Sequence, residues 1–193
     1  SLNRFYCRGN RRVLSEISCM HALVLMKRMR DTHAQLWGRV VFVKIFGEVN
    51  MAKIPLEVGN NCSFTKTISE SDVYMFGGIT GDYSQMHFNE AFMKTTKYGT
   101  RIVHGVLTFA LGSTASTLIQ QKYESPIPSA SYGYDHLRFT APVYFGDTLT
   151  ATYTVVEVDE EAMKTYADVV VTNQDGTVVC VAKHILKFFE IEG

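Results

Sequence analysis

The chain has 193 residues, enough for one domain with a sizeable core or for such a domain plus an extension. It is 46% hydrophobic and 20% charged with a formal net charge of zero, which excludes a disordered acidic chain and gives no overall attraction to nucleic acid.

That neutrality is uneven along the chain. Before Met51 there are nine basic residues against three acidic ones, so the first fifty residues carry +6 and the remainder −6. A basic stretch of this kind reads as an arm for nucleic acid or membrane, an arginine-rich presequence, or a segment foreign to the domain that follows. The run "MAKIPLEVG" from Met51 reads like an ordinary cytoplasmic start. The preceding "GEVN" can be encoded by a purine-rich tract resembling a bacterial ribosome-binding site. The division expected is therefore a basic extension over 1–50 and a folded domain over 51–193, with Met51 as the natural start. Codons unable to form such a tract would remove that expectation.

The four cysteines, Cys7, Cys19, Cys62 and Cys180, form no C-x-x-C pair, and the histidines show no zinc-type spacing with them. Structural zinc and a disulfide framework are both disfavoured, and a cytoplasmic location is expected. No apolar run approaches the roughly 18 residues of a membrane span.

Within the domain, "CSFTKTI" alternates like a short strand, and Ser69 followed by acidic residues is a helix N-cap. The helix it opens meets Gly77, Gly78 and Gly81 and should end just before Asp82. A capping Asn89, an early Glu90 and a terminal glycine describe a second helix over about 89–98. A long helix starts near Gly105, with apolar residues at spacings of three and four and with many small residues, and should be buried on most sides. From Ala130 the pattern turns to strands, with Leu149, Ala151, Tyr153 and Val155 on one face and "NQDG" as a hairpin turn. A buried helix followed by an antiparallel meander predicts an α+β domain whose sheet wraps the helix.

Asp82 and His87 sit five residues apart in "TGDYSQMHF". A carboxylate and an imidazole on one loop can hold a water between them and move its protons. On the spacing alone, a turn hydrogen bond from Asp82, with His87 facing solvent or capping the helix at Asn89, is the better account. Gly105, in "IVHGVLTF", stands at a helix start whose free N–H groups suit a developing oxyanion, or it is a glycine admitted for tight packing. His104 beside it is read as structural. "GGITG" lacks the order of a dinucleotide fingerprint, and no G-x-S-x-G elbow is present. "RFTAPVYFGDTL" is accounted for by turn chemistry between strands.

Taken together, "GITGDYSQMHFNEAF", "GTRIVHGVLTFALGSTAS" and "LRFTAPVYFGDTLTATYTV" resemble the MaoC-like dehydratase family, which includes the (R)-specific enoyl-CoA hydratases of the hot-dog fold. The resemblance covers about Phe64 to Phe189. It implies reversible hydration of a trans-2-enoyl-CoA or enoyl-acyl carrier protein to an (R)-3-hydroxyacyl thioester, without metal or redox cofactor. Asp82 and His87 match the family's catalytic pair. Gly105 would hold the thioester oxygen, and Ser113 matches a family serine and would have a positioning role, unless its hydroxyl only bonds back along the helix. Ser84 replaces the usual asparagine and is counted with the substrate-binding positions; Gln85 replaces the usual proline, which frees the loop. The resemblance further implies at least a homodimer, with the acyl tunnel near the subunit interface and no nucleic-acid or membrane partner. Alternative readings are an acyl-CoA thioesterase of the same fold and a non-catalytic acyl-CoA-binding or regulatory protein.

Overall fold

The computed structural model describes residues 53–189. The basic extension over 1–50 and the expected start at Met51 lie outside the described residues.

Among the described residues, five strands and four helices follow in chain order: β1 (Asn61–Thr67), α1 (Glu70–Thr80), α2 (Gln85–Phe88), α3 (Glu90–Met93), α4 (Gly105–Lys122), β2 (Ser129–Phe139), β3 (Thr148–Asp159), β4 (Lys164–Thr172) and β5 (Val178–Phe188). The strands make one sheet in the order β1-β3-β4-β5-β2, with every neighbouring pair antiparallel. Helix α4 packs against β1, β3, β4 and β5, which is the α+β hot-dog arrangement expected.

Period-two patterning places the core. Leu149, Ala151, Tyr153 and Val155 of β3 are all buried, as are Ala167, Val169 and Val171 of β4, and they meet Leu111, Ala115 and Ile119 of α4. Each large side chain fully buried in this way contributes roughly 1.5–3 kcal/mol. The "NQDG" turn closes with Asn173 O accepting from Gly176 N–H at 3.0 Å.

Two expectations are corrected. Helix α4 is buried along one face only, through Thr108, Leu111, Gly112, Ala115, Ser116 and Ile119, while Val106, Ala110, Ser113, Thr114 and Thr117 face outward. Among the described residues the sheet covers a single side, and the small residues of the other side are exposed. The helix expected over 89–98 stops at Met93. Asn89 does cap it, accepting from Phe92 N–H at 3.0 Å, but the Thr95 and Thr96 hydroxyls donate back to Phe92 O and Met93 O at 2.7 and 2.8 Å and favour a turn there.

A polar group sits inside the sheet. His184 is fully buried, with Nε2 2.8 Å from Ser131 Oγ, Nδ1 3.0 Å from the Tyr153 hydroxyl, and its ring stacked on Tyr134 at 4.2 Å. Burial pushes this imidazole down from 6.5 to about 4. The unfolded chain therefore takes up a proton in a window where the folded one does not. Stability is full above about pH 6.5 and is expected to fall, by on the order of 3 kcal/mol, as pH drops from there to about 4. Urea unfolding at pH 7.5 and pH 5 measures this loss, and His184→Gln should shrink the difference between the two; an unchanged difference would assign it to other groups.

Candidate active site

The loop that carries the first two residues of interest is set by its flanks. Ser69 and Asp72 form a capping box at the start of α1, and Gly81 ends the helix in a left-handed conformation (φ 79°) that a side chain rarely adopts. Asp82 follows at once. Its Oδ1 accepts from Ser84 N–H at 3.2 Å, and Ser84 Oγ in turn caps α2 by accepting from Met86 N–H at 3.5 Å. One carboxylate oxygen thus makes the turn bond anticipated for an aspartate here, while the carboxyl group stays 53% exposed.

His87 is not at the surface. It is 9% exposed, on the inner side of α2, and its Nδ1 lies 2.7 Å from the Ile102 carbonyl. A carbonyl only accepts, so Nδ1 carries the proton and Nε2 is left with its lone pair. Burial lowers the pKa of His87, against the raising effect of the Ile102 carbonyl, and His104 lowers it further.

His104 joins these two. It is 2% exposed, its ring lies 3.7 Å from that of His87, and its Nε2 is 3.0 Å from the Asp82 carbonyl and 3.9 Å from Asp82 Oδ2. Phe76 packs on its other side at 4.8 Å. Its Nδ1 is buried without a partner, which costs about 1–3 kcal/mol. From sequence alone this residue is structural, whereas here it lies against both members of the pair. The signal that could have found it is its type: serine, threonine or aspartate is the ordinary choice at a helix N-cap, and histidine is not.

Gly105 opens α4 immediately after. A Cβ there would lie 2.8 Å from the ring of Phe139, which would have to shift to admit it. Gly105 and His87 line a cavity of about 430 Å³ with Met86, Val103, Phe139 and Val143, within the range of small-ligand sites. Asp82 and Ser84 are not part of that lining. Ser113 is farther off, about 12 Å along α4 from Gly105 and on its exposed face, so a single chain does not bring it to the pair.

Among the described residues, Asp82, His87 and His104 are a group that could hold a metal ion, with ligand atoms within 4.8 Å of one another. Tetrahedral zinc, with bonds of about 2.0–2.1 Å, wants ligand atoms roughly 3.3 Å apart, and the His104 Nε2 proton is committed to the Asp82 carbonyl. The arrangement suits proton transfer better than metal ligation.

Residues 55–178 match the model for the MaoC like domain. The chain is 42% identical over 101 residues to an (R)-specific enoyl-CoA hydratase of Rhodospirillum rubrum, covering 52% of this chain and 66% of that protein. It is 40% identical over 106 residues to a 3-hydroxybutyryl-CoA dehydratase of Methylorubrum extorquens, covering 55% and 64%. The matches thus span slightly under two thirds of these curated relatives. The R-hydratase PhaJ1 from Pseudomonas aeruginosa, in its unliganded form, superposes with a TM-score of 0.61 at 31% identity, covering 73% of this chain and 93% of that one.

Gln85 occupies the first position of α2, where a backbone N–H has no intrahelical partner, and Ser84 before it already has φ −52° and ψ 140°. The extended ψ of Ser84 is one that a following proline favours. Gln85→Pro is expected to raise stability by about 0.4–1 kcal/mol with the hydrogen bonds of Asp82 and His87 intact. A thermal melt that falls instead would show that the loop needs the Gln85 amide.

Proposed function

The chain belongs to the MaoC-like domain family, and from that membership and the site geometry we propose that it is a hydratase or dehydratase interconverting trans-2-enoyl and (R)-3-hydroxyacyl thioesters of CoA or an acyl carrier protein. The observation that carries this reading is the His87 tautomer. With Nδ1–H held by the Ile102 carbonyl, Nε2 keeps its lone pair, and His87 lines the same cavity as Gly105.

In the hydration direction, His87 Nε2 takes a proton from a water whose other hydrogen is held by the Asp82 carboxylate. The water oxygen bonds to C3 as the C2–C3 π pair moves toward the thioester carbonyl. The resulting enolate oxygen is stabilised by the amide at the start of α4, where the helix dipole adds a partial positive charge. The proton on His87 then passes to C2, which restores the thioester and leaves the imidazole neutral. Ser84 supports this pair through its bond to Asp82, a positioning part rather than contact with substrate.

A second copy of the chain fits the same reading. Strand β2 is at one edge of the sheet and bears exposed Tyr132 and Phe139, and Ser113 lies on the exposed face of α4. A homodimer burying these would bring Ser113 and the mouth of the acyl site close to the interface. No helix of the described residues is long and apolar enough to cross a membrane. The unpaired Cys62 and Cys180 suit the reducing cytoplasm proposed as its location.

Crotonyl-CoA hydration, followed by loss of enoyl absorbance, tests the proposal. Asp82→Asn and His87→Ala are each expected to lower kcat by roughly 10²–10⁴-fold. Turnover retained in both variants removes the pair from the mechanism, and release of free thiol in place of hydration would make the protein a thioesterase.

A further inference from the structure

We propose that His104 is a positioning residue of this site, one that gives up capping its own helix in order to fix the carbonyl of Asp82; the proposal rests on the hydratase reading for its effect on turnover. His104 is the N-cap residue of α4, yet its side chain makes no capping bond. A serine or aspartate in its place would accept from the amides of the first turn and occupy the donors that a thioester oxygen needs. The imidazole turns the other way. Its Nε2 donates to Asp82 O at 3.0 Å, an acceptor that requires the proton on that nitrogen, and so Nδ1 is left buried and unpartnered.

A buried orphan nitrogen is a cost with no local return, since packing alone would be met by an apolar ring among Phe76, Phe88 and His87. What the histidine adds is a single donor at one reach. That donor ties the first residue of the loop to the first turn of α4, so the Asp82 carboxylate, the His87 ring and the Gly105 amide keep one spacing. The rings of His87 and His104, with centroids 3.7 Å apart and planes inclined by 30°, restrain the His87 ring in addition to its bond to the Ile102 carbonyl.

Three substitutions separate the donor from the bulk. His104→Gln keeps an amide donor at the reach of Nε2, His104→Asn offers one that falls short, and His104→Phe keeps the ring without a donor. Crotonyl-CoA hydration by the Phe and Asn variants should fall about 100-fold in kcat with KM within about twofold, and His104→Gln should stay near the parent. Backbone amide exchange provides a readout independent of turnover. Ser84 and His87, whose N–H groups bond to Asp82 Oδ1 and Ser84 O, should exchange faster in the Phe and Asn variants and not in His104→Gln. If the parent protein hydrates nothing while this exchange pattern holds, the hydratase reading falls and the positioning role stands. Equal exchange across the Gln and Asn variants overturns it, as does equal kcat between them in a protein that does turn over; that pair decides the matter even where His104→Phe does not fold.

Discussion

Three hydrogen bonds between two segments hold the site together. Residues 102–104 run alongside the loop 82–87, with Ile102 N–H donating to Met86 O at 3.1 Å, His87 Nδ1–H to Ile102 O at 2.7 Å and His104 Nε2–H to Asp82 O at 3.0 Å. On its other side the same segment is fixed to the residues before β3, through Val103 N–H to Val143 O at 2.8 Å and a bridge between Ile102 and Tyr144. Ile102 and Val103 are buried, so these bonds are shielded from water and their loss would leave unsatisfied groups. Arg101 adds a clamp at the near end, with its guanidinium 2.8 Å from Glu70, 3.4 Å from Glu90 and 4.7 Å from the centre of the Phe145 ring. A short extended stretch thereby ties the loop to the residues that precede β3.

Two histidines with the same electrostatic bias have different chemical prospects. Burial lowers the pKa of both His87 and His184. In His184 both ring nitrogens are spent on Ser131 and Tyr153 inside the sheet, so the residue is structural and inert. In His87 only Nδ1 is spent, and the residue lines a cavity. The pKa direction alone would not tell them apart; the count of occupied nitrogens does.

Much of the fold was legible in the sequence because its signals are local. The alternation of β3, the Ser69 cap, the stop at Gly81 and the "NQDG" turn each follow from residues within a few positions of one another, and the structure has them where expected. The burial of α4 was overestimated because small residues look alike whether they face a sheet within the chain or an uncovered surface. The site was less legible. Asp82 and His87 were suggested by motif resemblance, whereas spacing alone allowed a plain turn. His104 was set aside because what makes it matter, the carbonyl of Asp82 and the ring of His87, comes from residues far away in sequence. Ser113, picked by the same resemblance, lies along the helix away from the pair.

The absence of proline at position 85 has a thermodynamic meaning once the loop's bonds are known. Proline would narrow the loop in the unfolded chain as well as in the folded one, so part of its order would be inherent. With glutamine there, that share of the order is supplied instead by bonds within the loop and to residues 102–104 once the chain has folded.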